Sequence, residues 1–191
     1  MKTKVFLILA LLCAVVQGAW ADWSVWSGSH SSQPTYYASY GGRSNVYVIR
    51  NASELAGVTW YWGDYFDKNL YLDGDMDMTA ASWQRMGDQN YTGTFYGNNH
   101  TIRIKISEVT ENYQGLFYRV GSGGRVQDLH VDADIRCLRS RLVGGIAGEN
   151  DGTIENCWVS GIVLSNWQES MSSYTAKVGG ICGQNDGTVA F

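Results

Sequence analysis

Histidine, cysteine and proline are scarce: the 191 residues hold three, four and one of them, and only 17% of side chains are charged. His30, His100 and His130 are scattered, and the absence of a His-Glu-x-x-His run excludes the zinc-peptidase pattern. No Cys-x-x-Cys or mixed Cys/His spacing suggests structural zinc, and neither a metal nor a cofactor is predicted. No Gly-x-Ser-x-Gly elbow is present, and Gly121-Ser122-Gly123-Gly124 lacks the Lys-Ser/Thr of a phosphate loop. Nucleophilic and nucleotide chemistry are therefore unsupported. Beyond Val5 to Val16 no apolar run is prominent, and that one is too short to span a membrane. The single proline, Pro34, falls in residues 22–45, a Ser-, Gly- and aromatic-rich stretch without a sustained period, predicted to be irregular or an edge strand.

The apolar run Val5 to Val16, preceded by Lys2 and Lys4 and followed by Ala19-Trp20-Ala21, reads as a secretory signal peptide cleaved after Ala21. Removing Lys2 and Lys4 from the 14 basic residues leaves 12 against 18 acidic ones, a formal −6. That balance argues against nucleic acid as a partner, since phosphate binding needs a basic face. Cys137, Cys157 and Cys182 survive cleavage, an odd number for an exported chain. Their positions within the repeats described next favour burial as small apolar core residues over a disulfide.

What the chain does have is glycine, 23 of them, and repetition. Val143 to Cys157 reads VGGIAGENDGTIENC, and Val178, 35 positions on, opens VGGICGQNDGTVAF. A weaker copy, Gly115-Leu116-Phe117-Tyr118 with Gly124 to Leu129, precedes them at offsets of 30 and 28. Such self-similarity predicts stacked units rather than one closed core. Asn-Asp-Gly turns are expected to supply the positive-φ residues of sharp corners, and their asparagines to hydrogen-bond from unit to unit.

Four runs alternate with period two: Leu70, Leu72, Gly74, Met76, Met78; Ile102, Ile104, Ile106; Leu129, Val131, Ala133, Ile135; and Cys157, Val159, Gly161, Val163. They begin 27 to 32 residues apart, enough for a coil of three short strands. Parallel crossovers are nearly always right-handed. The fold predicted for residues 46–191 is thus an all-β, right-handed parallel β-helix, with Leu72, Ile104, Val131 and Val159 lining one interior column. Asn51, with Glu54 three residues on, marks a helix start, and Leu55, Val58 and Trp62 share a face. This helix, from about Ala52 to Trp62, is predicted to cap the stack.

The units at 115–118, 145–154 (Gly-Ile-Ala-Gly-Glu-Asn-Asp-Gly-Thr-Ile) and 180–189 (Gly-Ile-Cys-Gly-Gln-Asn-Asp-Gly-Thr-Val) resemble the GLUG motif of secreted bacterial surface proteins. Ser53 to Ala56, Leu72 to Met78 and Gly93 to Ile102 are similar to the segment that usually precedes those motifs. The resemblance implies exported adhesin-like or scaffold proteins and carries no catalytic residues. The last repeat is incomplete at Phe191, from which a fragment or N-terminal module is expected, with end-to-end association possible through that coil.

Candidate chemistry is confined to two sets. Asp73, Asp75 and Asp77 alternate with the apolar positions and could hold Ca²⁺ or serve a polysaccharide lyase or hydrolase. Against this, Arg103 and Lys105 in the next run, and Asp132 and Asp134 in the one after, predict an acid-base-acid ladder on a solvated face. For ligand contact the candidates are Trp158, with outward parity beside Cys157 and Val159, and Trp167, in the Leu164 to Lys177 insertion. Either indole could stack on a sugar or be covered by its own loop. The expectation is a non-catalytic exported module with a structural or adhesive role, host or matrix glycans or proteins as partners, and glycan binding or glycan chemistry as the alternative.

Overall fold

A computed structural model describes residues 23–29, 32–166 and 175–191. The predicted signal peptide, His30 and Trp167 lie outside these residues. Within them the protein is all-β, with eighteen strands and two short helices.

In chain order, β1 (Ser24–Val25) is followed by the hairpin β2 (Thr35–Tyr40) and β3 (Arg43–Ile49), then α1 (Ala52–Trp60), α2 (Trp62–Tyr65), β4 (Asn69–Leu72) and β5 (Met76–Asp77). Three rounds of four strands come next. The first holds β6 (Thr94–Tyr96), β7 (Thr101–Ser107), β8 (Tyr113–Gln114) and β9 (Phe117–Val120). The second holds β10 (Arg125–Gln127), β11 (His130–Cys137), β12 (Leu142–Gly144) and β13 (Ala147–Asn150). The third holds β14 (Thr153–Glu155), β15 (Trp158–Ser165), β16 (Lys177–Gly179) and β17 (Cys182–Asn185), after which β18 (Thr188–Ala190) starts another. Each round therefore has four short strands, where the spacing alone suggested three.

Strands at equivalent places in successive rounds pair in parallel. The sheets run β1-β5-β7-β11-β15, β2-β3-β4-β6-β10-β14-β18, β8-β12-β16 and β9-β13-β17, and only the β2–β3 hairpin is antiparallel. Registers are strict: Met76, Ile102, Val131 and Val159 form one column, and Leu70, Phe95, Val126, Ile154 and Val189 another.

These columns correct the predicted one. Ile104 pairs with Ala133, one step along from Val131, and Leu72 belongs to a different sheet, opposite Ile49. A two-residue period leaves register undetermined by two, because a slip of two keeps the same face inward. The run from Leu70 to Met78 is in fact broken at Asp73-Gly74-Asp75 into β4 and β5. Leu72, Ile104 and Val131 are nonetheless fully buried in one continuous core, against which Val159 packs half-buried.

The helix start is built as the residues indicated, with one change of donor. The Asn51 side chain accepts from the Glu54 N–H at 3.0 Å, and the Glu54 carboxylate accepts from the N–H of Arg50, 2.6 Å away, rather than from that of Asn51. Leu55, Val58 and Trp62 are buried, and the Trp62 ring packs on Tyr91 (5.8 Å) and Phe117 (6.5 Å). Closure of the N-terminal side is shared, since β1 and the antiparallel β2 take the edges of the two largest sheets. Outside the main core, Tyr71 packs with Val46, Val48, Tyr37, Tyr40 and Tyr96. Arg50 lies over Tyr37 and Tyr40, and Arg43 over Tyr96 at 4.5 Å. The aromatic stretch without a period is thus the facing of a hairpin.

The corners also differ from expectation. Positive φ falls at Asn99, Asp128 and Asn156 (60°, 54° and 49°), each two residues before the paired positions Thr101, His130 and Trp158. Asn and Asp tolerate this conformation through local hydrogen bonding. The Asn-Asp-Gly segments need glycine for another reason. A Cβ on Gly152 would collide with the Gly124 carbonyl, and one on Gly187 with that of Gly152. Their asparagines do bond between rounds, Asn150 Nδ2 donating to Asn185 Oδ1 at 2.7 Å.

Candidate functional site

The outer face of the five-stranded sheet carries the polar side chains that alternate with the core columns. Here Asp77, Arg103 and Asp132 stand in register. Arg103 Nε donates to Asp132 at 2.9 Å and Nη1 to Asp77 at 3.4 Å, with the guanidinium 4.3 Å from the Trp23 ring. The acid-base-acid ladder therefore exists in this column. It fails in the next one, where Asp134 bonds Arg136 at 2.7 Å and Lys105 makes no salt bridge among the described residues.

With 40% of its side chain exposed, Arg103 holds pairs worth only tenths of a kcal/mol each. Arg103→Glu, however, replaces them with three carboxylates in a row. The expected result is a loss of about 1 kcal/mol, roughly 2–4 °C in Tm, that shrinks in 1 M salt. Lys105→Glu should change Tm less. Equal effects of the two in a thermal melt would contradict the ladder.

The three aspartates read as a possible acid or Ca²⁺ set do not act together. Asp73 accepts from Tyr40 Oη (2.7 Å) and faces Arg50, and Asp75 accepts from the Thr101 N–H (2.8 Å) beside His100 Nδ1 (3.3 Å). Asp77 holds Thr79 and Arg103. The bend at Gly74 that splits the run sends each to separate partners.

Trp158, at the start of β15, is 46% exposed and lies flat on His130 of β11, rings 5.1 Å apart at 16°. The register sets this stack, because His130 is its in-line neighbour. His130 Nε2 is 2.8 Å from Ser160 Oγ, Nδ1 is 3.2 Å from Thr101 Oγ1, and Ser160 Oγ donates to Asp132 at 3.4 Å. A serine beside an imidazole suggests a nucleophile. Here the imidazole's other nitrogen meets a threonine instead of a carboxylate, and Ser160 is exposed on a flat sheet, so the arrangement hydrogen-bonds without the orienting acid of a triad. What it offers is an indole backed by the imidazole, with the Ser160 hydroxyl and the Asp132 carboxylate hydrogen-bonded alongside.

Burial holds the His130 pKa below its ordinary value, against the opposing pull of Asp132 and Asp75. A lowered histidine contributes stability that is complete above the unfolded value of about 6.5 and is lost as pH falls toward the folded one. His130→Gln is therefore expected to lose less Tm than the native chain between pH 7 and pH 5. Parallel slopes in melts across that range would refute it.

One acidic group escaped the sequence reading. Carboxylate oxygens of Glu149, Asp151 and Asp186 lie within 4.8 Å of one another, where the Glu-Asn-Asp and Gln-Asn-Asp copies stack. Arg119, in register below Glu149, pairs with it at 3.5 Å and with Asp151. The cluster thus already contains a cation, while burial pushes the Glu149 carboxyl up. Tandem acids at one repeat position were the available signal.

The cysteines behave as core positions. Cys182 is in register with Ala147 and Phe117, and Cys157 precedes the paired Trp158 as Leu129 precedes His130. All three are free, Cys137 and Cys157 are buried, and burial pushes the Cys157 thiol up to about 12.

Residues, sheets and site together define an all-β protein of parallel, in-register repeats with an exposed polar face, and no helix among the described residues is long and apolar enough to cross a membrane. No family model and no solved structure matches the chain. It is similar to a protein of Evansella cellulosilytica that carries the name Gly-rich membrane protein, 31% identical over 161 residues, covering 80% of this chain and 17% of that protein. It is also similar to Halomucin of Haloquadratum walsbyi, 32% identical over 143 residues, covering 68% of this chain and 2% of that one. The chain spans a small part of the length of both curated relatives.

Proposed function

We propose that the chain is an exported, non-catalytic module of the bacterial surface, a right-handed parallel β-helix of GLUG-like repeats whose role is structural or adhesive. The observation that carries this reading is the round-by-round register, in which each strand pairs with its counterpart about thirty residues away (Val126 with Ile154, Val131 with Val159). Such stacking builds an extended, rigid surface from short repeats. Rightward crossover is the rule for parallel connections of this kind. Secretion is supported by the signal-like residues 1–21, and a surface setting by the names of the two relatives. Val178, 44% exposed on the last round where its in-register neighbour Val143 is buried, is an apolar position against which a further round or a second copy would pack end to end.

Beads coated with the purified chain are expected to adhere to surfaces bearing matrix glycans or proteins, and the chain to release no product from polysaccharides. Indifference to every such surface would overturn the adhesive role. Turnover lost on Asp75→Asn would overturn the non-catalytic one.

A second reading, glycan binding at the sheet face, is favoured by the half-exposed Trp158 on His130. A stacked indole presents the flat apolar surface that a sugar ring covers. Its check is an array of neutral glycans, on which Trp158→Ala should abolish the selective signal.

A further inference from the structure

A cleft of about 510 Å³ opens between the α1–α2 junction and residues 84–89. That size is within the range of small-molecule sites. Trp60, the last residue of α1, lines it with 65% of its surface exposed, and Trp62, 5% exposed, forms its back.

The facing wall is fixed: Met86 bridges to Phe117 and Tyr91 to Val120, and the Met86 N–H donates to the Leu116 carbonyl at 2.7 Å. Trp62 Nε1 and Arg85 Nε, in two of the lining residues, are buried without a hydrogen-bond acceptor among the described residues. The Arg85 guanidinium lies 5.5 Å over the Tyr118 ring, and Asp88 and Gln84 are among the other polar residues of the lining. Gly87, at φ 86°, lies against the Trp62 Nε1 edge, and a Cβ there would strike that nitrogen.

We propose that this cleft binds an acidic saccharide, a chain containing uronic acid. The exposed Trp60 face receives the apolar side of a sugar ring. The Arg85 guanidinium in the lining calls for an acceptor-rich anion, which a sugar carboxylate supplies. Asp88 and Gln84 accept hydroxyl protons. Bulk charge does not draw such a ligand, because the chain is itself negative, −4 at pH 7, so recognition rests on Arg85.

The test is calorimetry of the purified chain with a galacturonic acid tetramer, its neutral methyl ester and a Gly/Ser tetrapeptide. The acidic tetramer should bind saturably. Trp60→Ala should weaken it tenfold or more, and Arg85→Gln should do likewise and erase the preference over the ester. Absence of saturable binding, retained affinity in both Trp60→Ala and Arg85→Gln, or tighter binding of the peptide overturns the proposal. Loss confined to Trp158→Ala overturns it as well and moves the ligand to the sheet face. Thermal melts of each variant confirm that a loss reflects the cleft rather than unfolding.

Discussion

Phe117→Ala is expected to lower the unfolding free energy by about 3–5 kcal/mol, the range for truncating a buried aromatic. Phe117 is fully buried at the point where the helices meet the first round. Its ring stacks on Tyr91 at 5.2 Å and meets Phe95 edge-on at 5.5 Å, with Trp62 at 6.5 Å. These neighbours are tethered and do not collapse readily into the space: Tyr91 Oη donates to the Lys68 carbonyl at 2.9 Å, and the Tyr91 N–H to that of Arg119 at the same distance. A cavity that does not relax lies at the costly end of the range. Against a usual total of about 5–15 kcal/mol, one substitution removes a large share. Urea unfolding checks it, and a loss below about 1 kcal/mol would mean that the aromatic cluster does not tie helices to sheets.

Gly152→Ala should destabilise by about 1–3 kcal/mol, the scale of overpacking, or by more because the obstruction is backbone. The added methyl would lie 2.5 Å from the Gly121 carbonyl and 2.9 Å from Val120 Cγ1, and would collide with the Gly124 carbonyl. Gly124 O already accepts from the Thr153 N–H at 3.0 Å, so relief requires giving up a bond between rounds. Gly180 provides the control, since a Cβ there meets nothing within 4 Å and Gly180→Ala should be nearly neutral. Comparable losses at both positions, measured by chemical unfolding, would show that glycine acts here through chain entropy and not through close stacking.

That contrast marks how far the sequence could be read. Gly145 and Gly180 are the same letter in the same motif, yet a Cβ on Gly145 would press on Val159 Cγ1 at 2.5 Å while Gly180 has space. Repetition identifies the position, but the round that lies above it decides its crowding. The same distinction applies to the ladder. Alternation placed Arg103 and Lys105 outward correctly, but only the register and side-chain reach gave Arg103 two acids and left Asp134 to Arg136. At the candidate sites, Trp158 was legible from its parity with Cys157 and Val159. The cleft at Trp60 and Arg85 was not, because its two walls are more than twenty residues apart and neither carries a motif.

What the amino-acid order determined by itself is local: which positions alternate inward, where Asn51 and Glu54 begin a helix, and which segments repeat. Those properties follow from side-chain period, backbone hydrogen-bonding groups and composition, and they persist in any arrangement of the strands. Tertiary structure alone decided the four-strand round, the two-residue choice of register, the parting of Asp73, Asp75 and Asp77, and the seating of His130 beneath Trp158. A period of two is degenerate to shifts of two, and only the packing of one round on the next selects among them.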